Sequence, residues 1–253
     1  MRIGPFAVHW YGIAYVAGFV AAGLVARWLI RRWDLPLTDD DLVEIVLAAV
    51  IGLVVGARVG YVIVYGSAQY LQHPLEVFSV WDGGMSFHGG LVGILLAGWI
   101  ESRRKPVSFL RLADLGAVGA PIGIFFGRLA NFVNGELWGR TTNLPWGVVF
   151  PGAGPLPRHP SQIYEALLEG AVLFTIMVLL ARRRRPDGVV IGWFLIIYGV
   201  FRIAAEFARQ PDIQLGYIAG VLTMGQLLSL PLIIIGAWLV FRARRADDAS
   251  AKE

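Results

Sequence analysis

The stretch LVEIVLAAVIGLVVGARVGYVIVY, residues 42–65, decides the fold class. Its only charged residues are Glu44 and Arg58, and a run of about 20 mostly apolar residues is long enough to cross about 30 Å of hydrocarbon as a helix. Glycines recur at every fourth position, Gly52, Gly56 and Gly60, a spacing that lets a second helix approach closely. The stretch therefore predicts a transmembrane helix and an all-α fold.

Six further apolar stretches predict a polytopic bundle of about seven transmembrane helices. The predicted spans are residues 8–30, 42–65, 86–101, 111–132, 160–181, 188–208 and 219–241. Only 16% of the 253 residues are charged, against about 25% in soluble proteins. We expect one integral membrane domain over residues 1–253, with outer loops at about 66–85 and 133–159, the second forming a small cap, and a tail at about 242–253.

The basic residues predict the orientation. Of the 22 Lys and Arg residues, 15 lie at the ends of spans one, three, five or seven or between those ends and the next span, and 4 lie on the opposite side: Arg2, Arg140, Arg158 and Arg209. The positive-inside rule places the N-terminus outside and the C-terminus in the cytoplasm. Because these residues sit between apolar stretches, the net charge of +4 is interpreted as a topology signal, and no nucleic acid partner is expected.

Polar side chains inside the predicted spans gather toward the outer leaflet. Arg58, Arg128 and Arg202 lie within spans, where each costs roughly 2.5–3.5 kcal/mol at a helix centre unless it is compensated. On the same side we place Tyr11, Tyr15, His88, Glu165, Tyr198 and Glu206, whereas Asp114 lies near the inner face. A site at one leaflet suits a lipid headgroup, and guanidinium groups match phosphate oxygens in a bidentate geometry.

Simpler explanations exist for each charged group. Arg128 can snorkel to the interface, and Arg202 can pair with Glu206 four residues later. Arg58 lies in the glycine stripe and can serve in a structural ion pair, and His88 can be an interfacial histidine.

Other functions are possible for a helical membrane protein. A transporter would place polar groups at mid-depth, and an intramembrane protease needs paired Asp, Ser-His or a zinc motif; the sequence shows neither pattern. A non-catalytic lipid-binding bundle stays open.

Five strings then resemble one family in order and over nearly the whole chain. The longest is GRLANFVNGELWGR, residues 127–140; the others are HWYG (9–12), WDGGMSFHGG (81–90), RHPSQIYE (158–165) and YGVFR with EF (198–202, 206–207). Together they resemble the signatures of the prolipoprotein diacylglyceryl transferases. The absence of cysteine means that a thiol in the reaction would belong to the substrate.

The resemblance implies an activity and its residues. The family transfers the diacylglyceryl group of phosphatidylglycerol to the lipobox cysteine of a prolipoprotein signal peptide, which forms a thioether, and needs no metal or organic cofactor. By motif position, Arg128 and Arg202 match essential arginines. The other matches expected to act in catalysis or substrate binding, together with Arg58 from its place in the span, are Tyr11, His88, Gly89, Asn131, Asn134, Glu136, Tyr198 and Glu206. The role of Glu165, structural or catalytic, is left open.

The group that activates the thiol is not decided by the sequence. A thiol with a pKa of about 8.5 must ionise to attack. His88 can accept that proton, a tyrosine can do so with help, or the field of the arginines can lower the pKa of the thiol.

Overall fold

The computed structural model of the chain describes residues 2–3, 6–7, 10–66, 70, 72–211 and 222–250. The chain divides into two compact units. Residues 34–113 form the small unit, and residues 1–33 with 114–253 form the large unit.

Helices occupy each of the seven predicted spans. They are α1 (Trp10–Arg32), α2 (Asp39–Tyr65), α3 (Phe87–Arg104), α4 (Phe109–Val133), α5 (Ser161–Ala181), α6 (Val189–Glu206) and α7 (Met224–Ser250). A pair of two-residue antiparallel strands, β1 (Arg2–Ile3) and β2 (Phe6–Ala7), precedes them. The chain is therefore predominantly helical, as expected, although α7 continues to Ser250 through most of the predicted tail.

Five helices of the described part are long and apolar enough to cross a membrane. They are α2, α4, α5, α6 and the Met224–Ala243 part of α7. The helices α1 and α3 are outside this set, and α3 was the shortest of the predicted spans. The membrane character is confirmed, while the count of seven spans stays a prediction.

In the small unit, α2 and α3 pack along the glycine stripe seen in the sequence. The helix α2 begins with a capping box, in which the Asp41 amide donates to Thr38 Oγ1 at 3.1 Å and the Thr38 amide donates to Asp41 Oδ2 at 2.8 Å. A Cβ on Gly52 would lie only 2.5 Å from the carbonyl oxygen of Gly93. Side chains at the seam would push the helices apart, so the glycines permit direct contact between the backbones.

In the large unit, Asp114 holds the start of α6. Its carboxylate is fully buried and accepts hydrogen bonds from the amides of Gly188 at 2.9 Å and Ile191 at 2.8 Å. These amides belong to the first turn of the helix, where donors lack partners within the helix. The one polar residue that the sequence places at the inner face therefore caps α6, whose other end carries Arg202 and Glu206.

Candidate functional site

Three arginines and three glutamates meet in the large unit, and we call them the Arg–Glu cluster: Arg128, Arg202, Arg209, Glu165, Glu169 and Glu206. Glu165 is its centre. Its Oε2 lies 2.6 Å from Arg128 Nε, and its Oε1 lies 3.2 Å from Arg202 Nη1 and 3.1 Å from Arg209 Nη1. One carboxylate from α5 thus joins the guanidinium groups of α4, of α6 and of the segment after α6.

The other two carboxylates complete the Arg–Glu cluster. Arg202 Nη2 pairs with Glu206 on the same helix, and Glu206 Oε1 lies 3.8 Å from Arg209 Nε. Glu169 lies 4.0 Å from Arg128 Nη2 and 3.9 Å from Arg202 Nη1. Neither oxygen of Glu169 has a hydrogen-bond partner among the described residues, although the side chain is fully buried. Glu169 therefore contributes charge without holding a particular geometry.

Burial makes these contacts energetically important. The glutamate side chains are 0–4% exposed and the arginine side chains 11–19% exposed. Removal of one partner from a buried pair costs about 3–5 kcal/mol, because it leaves a charge without compensation. The Arg–Glu cluster also excludes two simpler explanations from the sequence, since Arg128 is no lone snorkelling group and Arg202 does more than pair with Glu206.

The geometry of α5 serves the Arg–Glu cluster. Residues Ala166–Val172 form a π-helical segment within α5, and such segments occur frequently at functional sites. Glu165 ends the α-helical turn before this segment and Glu169 lies within it. Both carboxylates thereby reach the arginines of α4 and α6.

The loop after α4 has an unusual backbone. Gly135 and Leu137 have φ values of +67° and +57°, and the left-handed region costs a residue with a side chain about 1–3 kcal/mol. The start of α5 holds this backbone in place: Gln162 Nε2 donates to the carbonyl of Glu136 at 2.6 Å, and Ser161 Oγ donates to that of Leu137 at 3.1 Å. The two strings 127–140 and 158–165 are therefore parts of one structure.

The end of the same string is joined to the end of α6. The Arg140 amide donates to Ala208 at 2.9 Å, and its guanidinium donates to the carbonyls of Arg209 at 3.0 Å and Glu206 at 3.3 Å. A Cβ on Gly139 would lie 2.5 Å from the Ala208 oxygen and 2.6 Å from the His159 oxygen. Only glycine fits there, and Arg140 satisfies carbonyls at the helix end, where cations are favourable.

Asn131, Asn134 and Glu136 form a second polar group in this loop. Glu136 Oε1 accepts from Asn131 Nδ2 at 3.4 Å and Asn134 Nδ2 at 3.3 Å. Partial burial raises the pKa of the Glu136 carboxyl above its ordinary value. The three residues that the sequence singles out in this loop thus lie together, and Gln162 connects them to the helix that carries Glu165.

The structure says less about the predicted tyrosines. Tyr198 lies on α6, one turn before Arg202, and its ring stacks on Phe194 with centroids 5.7 Å apart. The side chain of Tyr11 is outside the described part of the chain, as is that of Tyr15.

The remaining predicted residues lie in the small unit. His88 is exposed in the first turn of α3, which Ser86 caps through the Gly89 amide at 3.3 Å. Gly89 packs against α2, where a Cβ would lie 2.9 Å from Gly60 Cα. The close helix contact accounts for this glycine, and its role in substrate binding stays a prediction.

Arg58 is buried but is held by the backbone. Its guanidinium donates to the carbonyls of Val77 at 2.8 Å, Gly83 at 2.7 Å and Gly84 at 3.1 Å, and also to that of Glu76. Its guanidinium carbon lies 5.2 Å from the ring centroid of Tyr70. These contacts organise residues 76–84, the loop that contains the first part of the string 81–90.

The sequence interpretation missed Glu169 and Arg209. The sequence contains a feature that marks each of them. Glu169 is an acid within an apolar span, four residues after Glu165, and an intramembrane ionisable residue is by itself a functional hypothesis. Arg209 follows Glu206 by three residues, so the two face the same side of a helical turn, but it was counted only as an outer-loop charge.

The family model of the prolipoprotein diacylglyceryl transferases matches residues 1–242. Similar curated proteins are each named phosphatidylglycerol–prolipoprotein diacylglyceryl transferase. One from Geobacter sulfurreducens is 51% identical over 93% of this chain and 90% of its own length; one from Solidesulfovibrio magneticus is 52% identical over 100% and 96%; one from Coxiella burnetii is 48% identical over 98% and 95%.

Proposed function

The chain belongs to the prolipoprotein diacylglyceryl transferase family, and on that premise we propose that it transfers the diacylglyceryl group of phosphatidylglycerol to the lipobox cysteine of prolipoprotein signal peptides. The relatives' names state the lipid and the protein substrate. The reaction is the first step of lipoprotein maturation, and the product is a thioether.

The observation that carries this proposal is the meeting of Arg128 and Arg202 on Glu165. The two arginines come from different helices, yet their nitrogens lie 2.6 Å and 3.2 Å from the two oxygens of one buried carboxylate. Three arginines face three glutamates, so the Arg–Glu cluster is balanced in charge when every group is ionised. An arriving phosphate competes with the glutamates for the guanidinium groups, which stay charged at every relevant pH.

The proposed reaction is a displacement at carbon. The thiolate sulfur attacks the glycerol carbon of the lipid, a C–S bond forms, and the bond between that carbon and the phosphate ester oxygen breaks. The electron pair leaves with glycerol phosphate, whose second negative charge develops in the transition state. Arg128 and Arg202 stabilise this charge, since fixed donors act most strongly where charge develops.

The thiol proton needs an acceptor, and His88 is our assignment. An imidazole can accept a proton near neutral pH, and His88 is exposed at the start of α3. Tyr11 and the field of the arginines are the alternatives. Asn131, Asn134, Glu136 and Tyr198 are assigned to the lipid headgroup, as is Gly89.

Three further residues are assigned to positioning other groups. Glu206 and Glu165 position the arginines through the pairs described above. Arg58 is assigned to the organisation of loop 76–84, because four backbone carbonyls occupy its donors.

The proposed setting is the bacterial inner membrane, crossed seven times. The N-terminus and the loops at about 66–85 and 133–159 face the periplasm, the second loop caps the outer face, and the reaction occurs at the outer leaflet. The distribution of 15 basic residues on one side and 4 on the other supports this orientation.

Transfer is tested with purified protein, phosphatidylglycerol and a lipobox peptide. We expect the peptide to gain the mass of one diacylglyceryl group, and a peptide with Ser in place of the cysteine to gain none. Failure of the wild-type protein to modify the cysteine peptide in phosphatidylglycerol vesicles would contradict the proposed activity.

Topology is tested separately in this cysteine-free chain. Single cysteines at Gly152 and Arg184 are treated in whole cells with an impermeant thiol reagent. We expect labelling at position 152 alone, and labelling at position 184 alone would reverse the orientation.

A further inference from the structure

An open apolar furrow runs along the surface of the small unit between α2 and α3. Its floor is the glycine seam. One wall is formed by Ile51, Val55, Val59 and Ile63 of α2, at intervals of four, and the other by Val92, Leu96 and Ile100 of α3. These wall residues are 42–68% exposed, and the furrow encloses about 820 Å³. Two rows of side chains at four-residue spacing form the ridges between which a third helix packs.

The furrow is longer than one leaflet. From Ala48 to Ile63, both of which line it, α2 advances about 22 Å at 1.5 Å per residue. One leaflet contributes about 15 Å of hydrocarbon, so a lipid chain that enters from one surface fills only part of the furrow. The apolar core of a signal peptide has about 7–15 residues and as a helix extends about 10–22 Å, which matches the furrow.

The two ends of the furrow differ in polarity. Ser86 and His88 line one end, and Glu101 and Arg104 line the other. Glu101 is 4% exposed; its Oε1 lies 3.4 Å from Arg104, and its Oε2 has no hydrogen-bond partner among the described residues. Glu101 therefore brings to this end of the furrow a carboxylate whose charge is only partly compensated.

The Glu101 end of the furrow has a net negative charge. Residues 39–44 and 101–105 together hold five acidic and three basic side chains, and Lys105 is already paired with Asp41 at 2.6 Å and with Glu44. The run Arg182–Arg185, on the same predicted side of the membrane, is wholly basic. A signal peptide begins with a positively charged segment, which this acidic end attracts.

We propose that the α2–α3 furrow seats the apolar helix of the prolipoprotein signal peptide, with its basic start at Glu101 and its cysteine end toward His88. This rests on the proposed function for the identity of the peptide. Length, ridge spacing and the acidic inner end favour a peptide helix over a lipid chain.

Binding is tested without turnover, so that it does not depend on the transferase activity. The probe is a signal peptide with Ser in place of the lipobox cysteine and a photoreactive residue in the middle of its apolar core. It is cross-linked to the full chain in phosphatidylglycerol nanodiscs. We expect cross-links to wall residues of α2 and α3, and cross-links confined to other helices would overturn the proposal.

A matched pair of variants then tests the furrow itself. Leu96 is 55% exposed and lines the furrow, whereas its neighbour Leu95 is 47% exposed and does not. We expect Leu96→Trp to reduce cross-linking and to raise the KM for the cysteine peptide by about tenfold or more, the loss typical of one mismatch in an apolar site. Leu95→Trp should change neither, and the KM for phosphatidylglycerol should stay the same in both variants.

Other results overturn the proposal in distinguishable ways. A raised KM for phosphatidylglycerol alone identifies the furrow as a lipid-chain site, and a changed oligomeric state with an unchanged peptide KM identifies a contact between copies. Glu101→Gln provides a second test that leaves the furrow open. This substitution should weaken the binding of a peptide whose first segment contains Lys more than the binding of a peptide whose first segment is neutral. Equal effects on both peptides would also contradict the proposal.

Discussion

Arginines whose side chains are mostly shielded from solvent occur in both units, and the partners of Arg58 differ from those of the Arg–Glu cluster. In the large unit, Arg128, Arg202 and Arg209 face carboxylates of Glu165, Glu169 and Glu206. In the small unit, Arg58 donates to four backbone carbonyls of a loop. A carbonyl carries no net charge and is fixed by the loop it belongs to. A contact between an arginine and a carboxylate, by contrast, can be replaced by a contact with another anion.

This difference separates two uses of an arginine inside a membrane protein. Around Arg58, hydrogen bonds fix the shape of residues 76–84. In the Arg–Glu cluster, the guanidinium groups are held by carboxylates, with which an arriving phosphate would compete under the proposed function. The first arrangement stabilises a loop, and the second is the one that we propose takes part in chemistry.

A large effect is expected from conservative changes at the two central arginines. Arg128→Lys and Arg202→Lys keep the charge but lose the planar fork, so the transfer rate should fall by roughly 10²–10³, the range for losing one fixed donor to charge that develops in the transition state. The rate is measured on protein shown to be folded by its thermal transition. Arg183→Lys, in the exposed basic run, is the control. Near-normal rates in both cluster variants would indicate that Arg128 and Arg202 have only a structural role.

A second large effect is expected at His88. His88→Gln keeps polarity but removes the proton acceptor, so the rate should fall by roughly 10²–10⁴ and recover partly at higher pH, as the substrate thiol ionises unaided. Full pH–rate profiles at saturating lipid are measured for the wild type and the variant. Parallel profiles would exclude the base role and direct attention to Tyr11 or to the arginine field.

The carboxylates of the Arg–Glu cluster offer a matched comparison. Glu165→Gln removes the charge that three arginines share and should lower the free energy of unfolding by about 3–5 kcal/mol. Glu169→Gln removes a charge that makes no hydrogen bond among the described residues. It also removes the desolvation cost of burying that charge, so the free energy of unfolding should change by less than about 1 kcal/mol. Denaturation in detergent measures both, and equal losses would show that charge balance matters more than geometry.

The smallest effect on chemistry is expected at Arg58. Arg58→Lys cannot reproduce four carbonyl contacts, and the free energy of unfolding should fall by about 1.5–3 kcal/mol, the contribution of hydrogen bonds to a charged group. Amides of residues 76–84 should exchange hydrogen faster, while the turnover of folded protein changes little. Loss of turnover with unchanged exchange would instead assign Arg58 to the substrate.

Much of the fold is readable from local sequence. The apolar stretches predict the seven long helices of the described residues, and the T-x-x-D pattern at Thr38 and Asp41 accounts for the start of α2. The site is only partly readable. Arg128, Arg202 and Glu206 are recognised as polar groups in apolar surroundings and by resemblance, but Glu165 is left undecided, and Glu169 and Arg209 are missed.

Hydropathy, charge distribution and the family signatures are properties of the sequence by itself. They determine the membrane class, the helix positions and the family, because burial of apolar surface in lipid depends on each segment almost independently. Tertiary structure alone decides which partner each arginine has. Arg58 and Arg128 look alike in sequence, each in the second half of an apolar helix. Only the packing of neighbouring elements brings loop carbonyls to the first and Glu165 to the second, since side-chain contacts between segments depend on how the helices rotate and cross.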